Sequence, residues 1–179
     1  MIPSEMNEIE LVELPAHNIF EELGYQKLEG TDVHSERQSY NDVILTTRLE
    51  RKIRELNPDL PEIVYETTIN QVKSLSNPST IQNNQEFHQM LLAGVKVPFQ
   101  SEGQTKYYAV RLVDFENPQN NDFAAVRQLI VLQHKQKRLD HVLFVNGLPL
   151  VILEYKDPTN PSADIVAAHK QLGIGNYQK

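Results

Sequence analysis

Apolar residues in the first half of the chain recur three and four positions apart, the spacing of one helix face. This pattern predicts a helix within residues 5–23 that begins near Pro15 and stops at Gly24. Further helices are predicted over residues 40–56, 61–74 and 80–93. Residues 1–94 are therefore expected to be mostly helical.

The second half carries shorter apolar runs bounded by turn residues, as strands are. We predict strands over residues 95–100, 107–115, 123–133, 139–145 and 148–155, then a helix over 162–172. The runs at 139–145 and 148–155 are apolar almost throughout, which favours strands buried on both faces in the middle of a sheet. The pattern is typical of an α/β fold, a central mixed β-sheet flanked by helices. We expect one domain over 1–179, with its sheet and core in 95–179.

Three charged side chains stand at the ends of the two most apolar strands. Asp140 begins the first strand, and Glu154 and Lys156 end the second. Side chains two positions apart in a strand share a face, and a hairpin brings Asp140 near the other two. Two carboxylates, with the backbone carbonyl of Tyr155 as a further oxygen ligand, predict a Mg²⁺ site. Lys156 is then placed to orient or deprotonate an attacking water, or to neutralise developing charge.

The strand register decides whether these groups converge. A two-residue loop of Asn146 and Gly147 would place Glu154 on the opposite face from Asp140. A three-residue loop with Gly147 in the left-handed conformation, or a bulge near Pro149, would restore a common face. We predict one of these two irregularities. The alternative interpretation is that the charges are an ordinary surface pair.

Composition narrows the function classes. The chain has no cysteine, which excludes disulfides and thiolate metal sites. Neither a membrane span nor a secretory signal is recognisable, so we expect a cytoplasmic protein. A net charge of −7 is unusual for a domain that grips DNA alone. Locally, Lys135, Lys137 and Arg138 precede Asp140 and are candidate contacts to DNA phosphates, the alternative being a solvated charge run.

The order Asp140, a strand, then Glu154-x-Lys156 resembles the PD-(D/E)xK nuclease motif. Residues 140–156 are also similar to the nuclease domain at the N-terminus of the motor (restriction) subunit of type I restriction–modification enzymes. Segments 22–25, 56–61 and 111–123 resemble the same family, so the likeness spans nearly the whole chain. It implies a restriction-endonuclease-like core in which Asp140, Glu154 and Lys156 are catalytic and the two acids bind Mg²⁺.

Two further positions follow from the resemblance. The family often adds a Gln to the site and a Tyr four residues later. Gln171 matches the first, whereas position 175 is glycine and the nearest aromatic residue is Tyr177. An acidic residue of the first helix sometimes joins such sites, and Glu13 is the candidate here. Simple surface exposure is the alternative for both Gln171 and Glu13.

The implied function is Mg²⁺-dependent cleavage of duplex DNA by a type I site-specific deoxyribonuclease, together with modification (methyltransferase) and specificity subunits. No Gly-x-x-x-x-Gly-Lys-Ser/Thr loop occurs, so this part of the subunit is expected not to bind the ATP that the family's translocase domains use. Alone, it is expected to be monomeric and to cut DNA weakly without sequence preference. The alternatives are a non-catalytic docking module of the same complex and a standalone repair-type nuclease.

Overall fold

The computed structural model describes residues 9–75, 78–101, 103–132 and 135–156. Its elements in chain order are α1 (Leu14–Glu22), β1 (Gln26–Glu29), α2 (Thr46–Leu56), α3 (Glu62–Lys73), α4 (Thr80–Ala93), β2 (Val95–Ser101), β3 (Gln104–Val110), β4 (Phe123–Leu132), β5 (Gln136–Val145) and β6 (Leu148–Leu153). A π-helical turn, Ile9–Glu13, runs directly into α1. The α/β class predicted from the sequence, with helices and a mixed central sheet, is confirmed.

The described chain forms two compact units that interleave along the sequence. Unit 1 draws on residues 1–43, 123–144 and 149–179, and unit 2 on residues 44–122 and 145–148. The helix-rich and sheet-rich halves of the sequence therefore do not correspond to these units. The expectation of one domain over 1–179 stays a prediction.

A four-stranded sheet in the order β1-β4-β5-β6 contains the candidate site. Strands β1 and β4 are parallel, with Gln26 opposite Ala124 and Glu29 opposite Arg127. The β4–β5–β6 order follows the chain, so each of these strands neighbours the next in sequence. The sequence pattern did not predict β1, because its four residues, Gln-Lys-Leu-Glu, show no apolar alternation.

The prediction that the last two strands both lie in the middle of the sheet is right for β5 and wrong for β6. In β5, Val142 is 1% exposed and Phe144 is fully buried. Among the described strands β6 is at the sheet edge, and its Leu150, Val151 and Ile152 are 40%, 43% and 42% exposed. An apolar run shows a lack of polar groups. It does not show whether another element covers the strand.

Unit 2 packs its helices against the β2–β3 hairpin. Its core contains the buried side chains of Leu49, Ile53, Val64, Tyr65, Val72, Val95, Val97, Val110, Leu112, Val113 and Leu148. The predicted break before α3 is confirmed, because Pro61 stands at the N-cap of that helix. Ser79 caps α4, because its side chain accepts a hydrogen bond from the backbone N–H of Gln82.

Several predicted boundaries are displaced. Helix α2 begins at Thr46 and not at residue 40, and β3 spans Gln104–Val110 where 107–115 was predicted. A tight turn follows β3, because the Asp114 carboxylate accepts hydrogen bonds from the backbone N–H groups of Glu116 and Asn117. Strand β5 begins at Gln136, three residues before the predicted start. The basic residues Lys137 and Arg138 therefore lie within a strand.

Strands β5 and β6 are joined by Asn146 and Gly147 alone. Both have positive φ, 53° and 83°, as a type I′ turn requires. The predicted three-residue loop is therefore wrong. The predicted bulge near Pro149 has no support, since β6 runs unbroken through that residue. In a two-residue hairpin Pro149 falls at a non-hydrogen-bonded position, where its missing N–H costs nothing.

Replacing Gly147 with alanine should destabilise the protein by about 3 kcal/mol. A Cβ there would lie 2.6 Å from the Leu45 carbonyl oxygen and 2.8 Å from the Leu49 amide nitrogen, both rigid backbone atoms of unit 2. The measurement is equilibrium unfolding in urea.

Gly103→Ala is the matched control, because Gly103 also has positive φ, 76°, but a Cβ there meets nothing within 4 Å. Its expected cost is about 1 kcal/mol, from the left-handed backbone alone. Equal costs for the two variants would contradict the close approach described for Gly147.

Candidate active site

Asp140 lies on β5 and is 7% exposed. Its Oδ2 accepts a hydrogen bond of 2.8 Å from the backbone N–H of Tyr155, the residue between Glu154 and Lys156. The contact brings the first candidate residue against the backbone that carries the other two. Oδ2 makes this hydrogen bond, and Oδ1 takes no part in it.

The positions of Glu154 and Lys156 depend on a break in strand alternation. The two-residue turn places Asp140 opposite Leu153, and simple alternation would put the Tyr155 ring on the Asp140 side of the sheet. That ring instead lies edge-on against the imidazole of His141, with centroids 5.4 Å apart. The alternation is therefore broken before Tyr155, in line with the end of β6 at Leu153.

Glu154 and Lys156 flank Tyr155, whose backbone N–H contacts Asp140. The Nζ of Lys156 lies 3.5 Å from Oε1 of Glu154. The Glu154 side chain is 3% exposed and that of Lys156 is 28% exposed. The arrangement pairs a buried acid with a lysine that still reaches solvent.

Glu13 is buried and not surface-exposed, with 2% of its area accessible. Burial raises the pKa of this carboxyl, the hydrogen bond from the Gln128 side chain opposes the shift, and the negative charge of Asp140 adds to it. Two backbone irregularities meet at this contact: Glu13 ends the π-helical turn, and Gln128 has a φ of 56° within β4. Glu13 is thus near enough to Asp140 to interact electrostatically.

A buried histidine pair lies behind the site. Nε2 of His141 and Nδ1 of His17 are 3.0 Å apart, and His141 is fully buried. Phe20 and Tyr155 complete an aromatic cluster around the His141 ring. Burial lowers the pKa of His141 to about 4, with the charge of His17 as a further cause, and burial also lowers the pKa of His17. Both rings are therefore neutral at neutral pH and pack beside β5.

The oxygen atoms at this site are of the type that binds Mg²⁺. Asp140, Glu154 and the Tyr155 carbonyl offer hard oxygen atoms, and Mg²⁺ is typically held by one or two carboxylates while keeping waters and substrate phosphate. Within residues 9–75, 78–101, 103–132 and 135–156, no group of three or more His, Asp or Glu side chains is arranged to hold a metal. A cage made wholly of protein side chains is thus absent from the described part of the chain.

Of the basic residues before Asp140, Lys137 and Arg138 lie on β5 and Lys135 directly precedes it. Lys135 and Arg138 are exposed, whereas Lys137 is partly buried and its Nζ atom is buried. Arg138 is close enough to Glu13 for its charge to lower the pKa of that carboxyl. Gln171, Tyr177 and the predicted helix 162–172 lie outside the described residues.

Sequence reasoning missed three neighbours of the site: His17, Arg127 and Gln128. His17 follows Glu13 by four residues, so one helical turn puts both on the same side, a spacing that could have been noticed. Gln128 gave no signal, because its role depends on a positive φ inside a strand. Arg127 pairs with Glu29 through the parallel β1–β4 register, which required knowledge of β1.

Comparison with known proteins decides the family. The family model described as "Type I restriction enzyme R protein N terminus" matches residues 5–179. The chain belongs to this family. The resemblance noted from residues 140–156 and the upstream segments is therefore confirmed over most of the chain.

Two curated relatives agree with this family assignment. The chain is 35% identical over 174 residues to the type I restriction enzyme HindI endonuclease subunit of Haemophilus influenzae, covering 93% of this chain and 16% of the relative. It is 34% identical over 162 residues to a Methanocaldococcus jannaschii protein provisionally named as the type I restriction enzyme MjaIXP endonuclease subunit, covering 87% and 16%. The chain thus spans about a sixth of the length of each relative.

Among the described residues of this chain, no helix is both long and apolar enough to span a bilayer. The longest described helix, α4, has 14 residues, whereas a span needs about 20.

The buried histidine pair predicts loss of stability on acidification. The folded pKa of His141, about 4, lies below its ordinary value of 6.5, so the unfolded chain takes up the proton first. Stability from this group is complete above pH 6.5 and is lost as the pH falls towards 4. Between pH 6.5 and pH 4 the wild type should therefore lose about 2–3 kcal/mol of unfolding free energy that the His141→Gln variant does not lose.

Urea unfolding between pH 7.5 and pH 4 measures this effect. His88→Gln is the control, since His88 is exposed on α4, and it should keep the wild-type slope. If His141→Gln keeps that slope too, the described burial of a neutral histidine is wrong.

Proposed function

We propose that this chain is the Mg²⁺-dependent nuclease domain of a type I restriction enzyme and cleaves duplex DNA within the assembled complex. The hydrogen bond between the Asp140 carboxylate and the Tyr155 N–H carries the proposal, because it sets one acid beside the backbone of Glu154 and Lys156. Family membership supplies the second support. A PD-(D/E)xK nuclease needs these three side chains at one point.

Asp140 and Glu154 would hold the ion through their carboxylate oxygens, with the Tyr155 carbonyl as a further ligand. When bound, Mg²⁺ polarises a phosphate and lowers the pKa of a coordinated water. Burial of the Glu154 side chain strengthens its attraction for a cation, because water screens the charge less there. The same burial makes the site costly without a positive partner, and Lys156 supplies part of that compensation.

Lys156 would act on the reacting phosphate or its water. Its ammonium group lies at the Glu154 carboxylate yet keeps 28% of its side chain accessible, so it can contact substrate. A cation there can orient the attacking water and offset negative charge that builds up on the phosphate. Gln171 is proposed as a further catalytic or DNA-contacting residue, on the resemblance alone.

The acidity of the chain is consistent with a cutting role in which other parts grip the DNA. With a net charge of −7 it would hold phosphates poorly by itself. Lys135, Lys137 and Arg138 provide a local basic segment that runs into β5 and precedes Asp140. We propose that they contact backbone phosphates near the cut, without reading bases.

The relatives are named as endonuclease subunits of type I restriction enzymes. We therefore propose modification and specificity subunits as partners and the cytoplasm, where the DNA substrate is, as the location. ATP would be bound by parts of the full subunit outside this chain, since no phosphate-binding loop occurs here.

Lys156→Ala should reduce DNA cleavage by the assembled enzyme roughly 100- to 1000-fold, because charge stabilisation at the phosphate is lost. ATP hydrolysis and translocation should not change. The measurement is conversion of supercoiled plasmid to linear DNA in the presence of Mg²⁺ and ATP.

Lys106→Ala serves as the control, since it removes an exposed lysine of β3 in unit 2. It should cleave like the wild type. Unchanged cleavage by Lys156→Ala would overturn the proposal and favour the non-catalytic docking module.

A further inference from the structure

We propose that Asn146 is a positioning residue that fixes the register of β5 against β6 and so places Asp140 beside Glu154 and Lys156. The inference rests on the proposed function for its catalytic consequence. Its structural part, the control of register, stands on the hairpin geometry alone.

The backbone of Asn146 selects the two-residue turn. Its φ is 53°, in the left-handed region that most side chains avoid and asparagine tolerates. Gly147 follows at 83°, so both central residues meet the requirement of a type I′ turn. A residue that resists positive φ at the first of these positions favours a longer loop and a shifted register.

The side chain of Asn146 holds this conformation within unit 2. Its Oδ1 accepts from the backbone N–H of Asp122 at 2.8 Å, and its Nδ2 donates to the Leu112 carbonyl and to Oδ1 of Asn121, both at 2.8 Å. The Asn146 N–H donates to the Asp122 carbonyl at 2.9 Å. The residue is fully buried, so loss of these partners would leave polar groups unsatisfied.

The partners are themselves held in place. The Asn121 amide donates to the backbone carbonyl of Asp114, and its Oδ1 accepts from the Asp114 N–H. Asp122 forms ion pairs with Arg51 and Lys52 of α2. The polar loop between β3 and β4 is therefore held in place by its own contacts and binds the turn residue. Segment 111–123, which resembles the family, thus has a structural role.

Register matters because the side-chain period of a strand is two. A slip of one residue would move Asp140 from opposite Leu153 to opposite Ile152 and reverse its face relative to β6. The 2.8 Å hydrogen bond from the Tyr155 N–H to Asp140 cannot survive that change. Asn146 thereby decides whether the described contact between Asp140 and the backbone of Tyr155 can form.

The absence of native cysteine makes register directly measurable. Val142→Cys with Val151→Cys places two thiols opposite each other in the described register, at a non-hydrogen-bonded pair suited to a disulfide. Val142→Cys with Leu150→Cys reports the register that a three-residue loop would give. Cross-linking yield under mild oxidation is compared between Asn146, Asn146→Gly and Asn146→Ala backgrounds of this chain.

With Asn146 present, the opposing pair should cross-link and the shifted pair should not. Asn146→Ala should change the ratio of the two yields about tenfold towards the shifted pair, since it loses both the left-handed preference and the side-chain hydrogen bonds. Asn146→Gly keeps the preference for positive φ but loses the side-chain hydrogen bonds, so its ratio of yields should lie between those of the wild type and Asn146→Ala. Asn120→Ala removes a hydrogen bond to Asp114 in the same loop and should leave the ratio unchanged.

The catalytic part is tested in the assembled enzyme. Asn146→Ala should lower single-turnover DNA cleavage roughly 100-fold with unchanged DNA affinity and ATP hydrolysis, and Asn146→Gly should rescue part of the rate. A wild-type cross-linking ratio in Asn146→Ala overturns the inference, whatever the cleavage result. A shifted ratio without loss of cleavage also overturns the positioning role, and an Asp140→Asn enzyme that still cuts would instead overturn the proposed function.

Discussion

The hydrogen bond from the Tyr155 backbone to the Asp140 carboxylate joins two strands at the point where one of them ends. Other features of the site are arranged around it. The bond orients one oxygen of Asp140, and it fixes the segment that carries Glu154 and Lys156. A backbone N–H is a reliable partner for such a task, because its position is set by the chain and costs no side-chain entropy.

Neutral and charged groups lie next to each other around this segment. His17, His141 and the Tyr155 ring pack together as neutral groups, and both histidines are buried. Asp140, Glu154 and Lys156 are their charged neighbours along the chain. Burial raises the pKa of the Tyr155 hydroxyl to about 12, with Asp140 and Glu13 as further causes, so this residue adds no charge of its own. A low-dielectric support behind charged groups strengthens their electrostatic effect on a ligand.

The candidate site residues could be predicted from the sequence, whereas most of their arrangement in space could not. Asp140, Glu154 and Lys156 were identifiable because charges interrupt apolar runs, and Asn-Gly marked the hairpin turn. The arrangement of the strand ends was not predicted correctly. We expected a three-residue loop or a bulge, but the turn is a regular two-residue turn, and the strand alternation breaks later, just before Tyr155. Strand β1 and the left-handed Gln128 were equally invisible, since short polar strands and unusual φ values depend on tertiary contacts.

The central claim is that Asp140 and Glu154 serve a single metal site. Calorimetric titration of Mn²⁺ into the DNA-bound protein tests it most directly, using Asp140→Asn, Glu154→Gln, the double variant and Asp32→Asn as an exposed control. The account predicts one site, an affinity at least about tenfold weaker in either single variant, and a double variant little worse than the singles. Wild-type Mn²⁺ affinity in Asp140→Asn would contradict it.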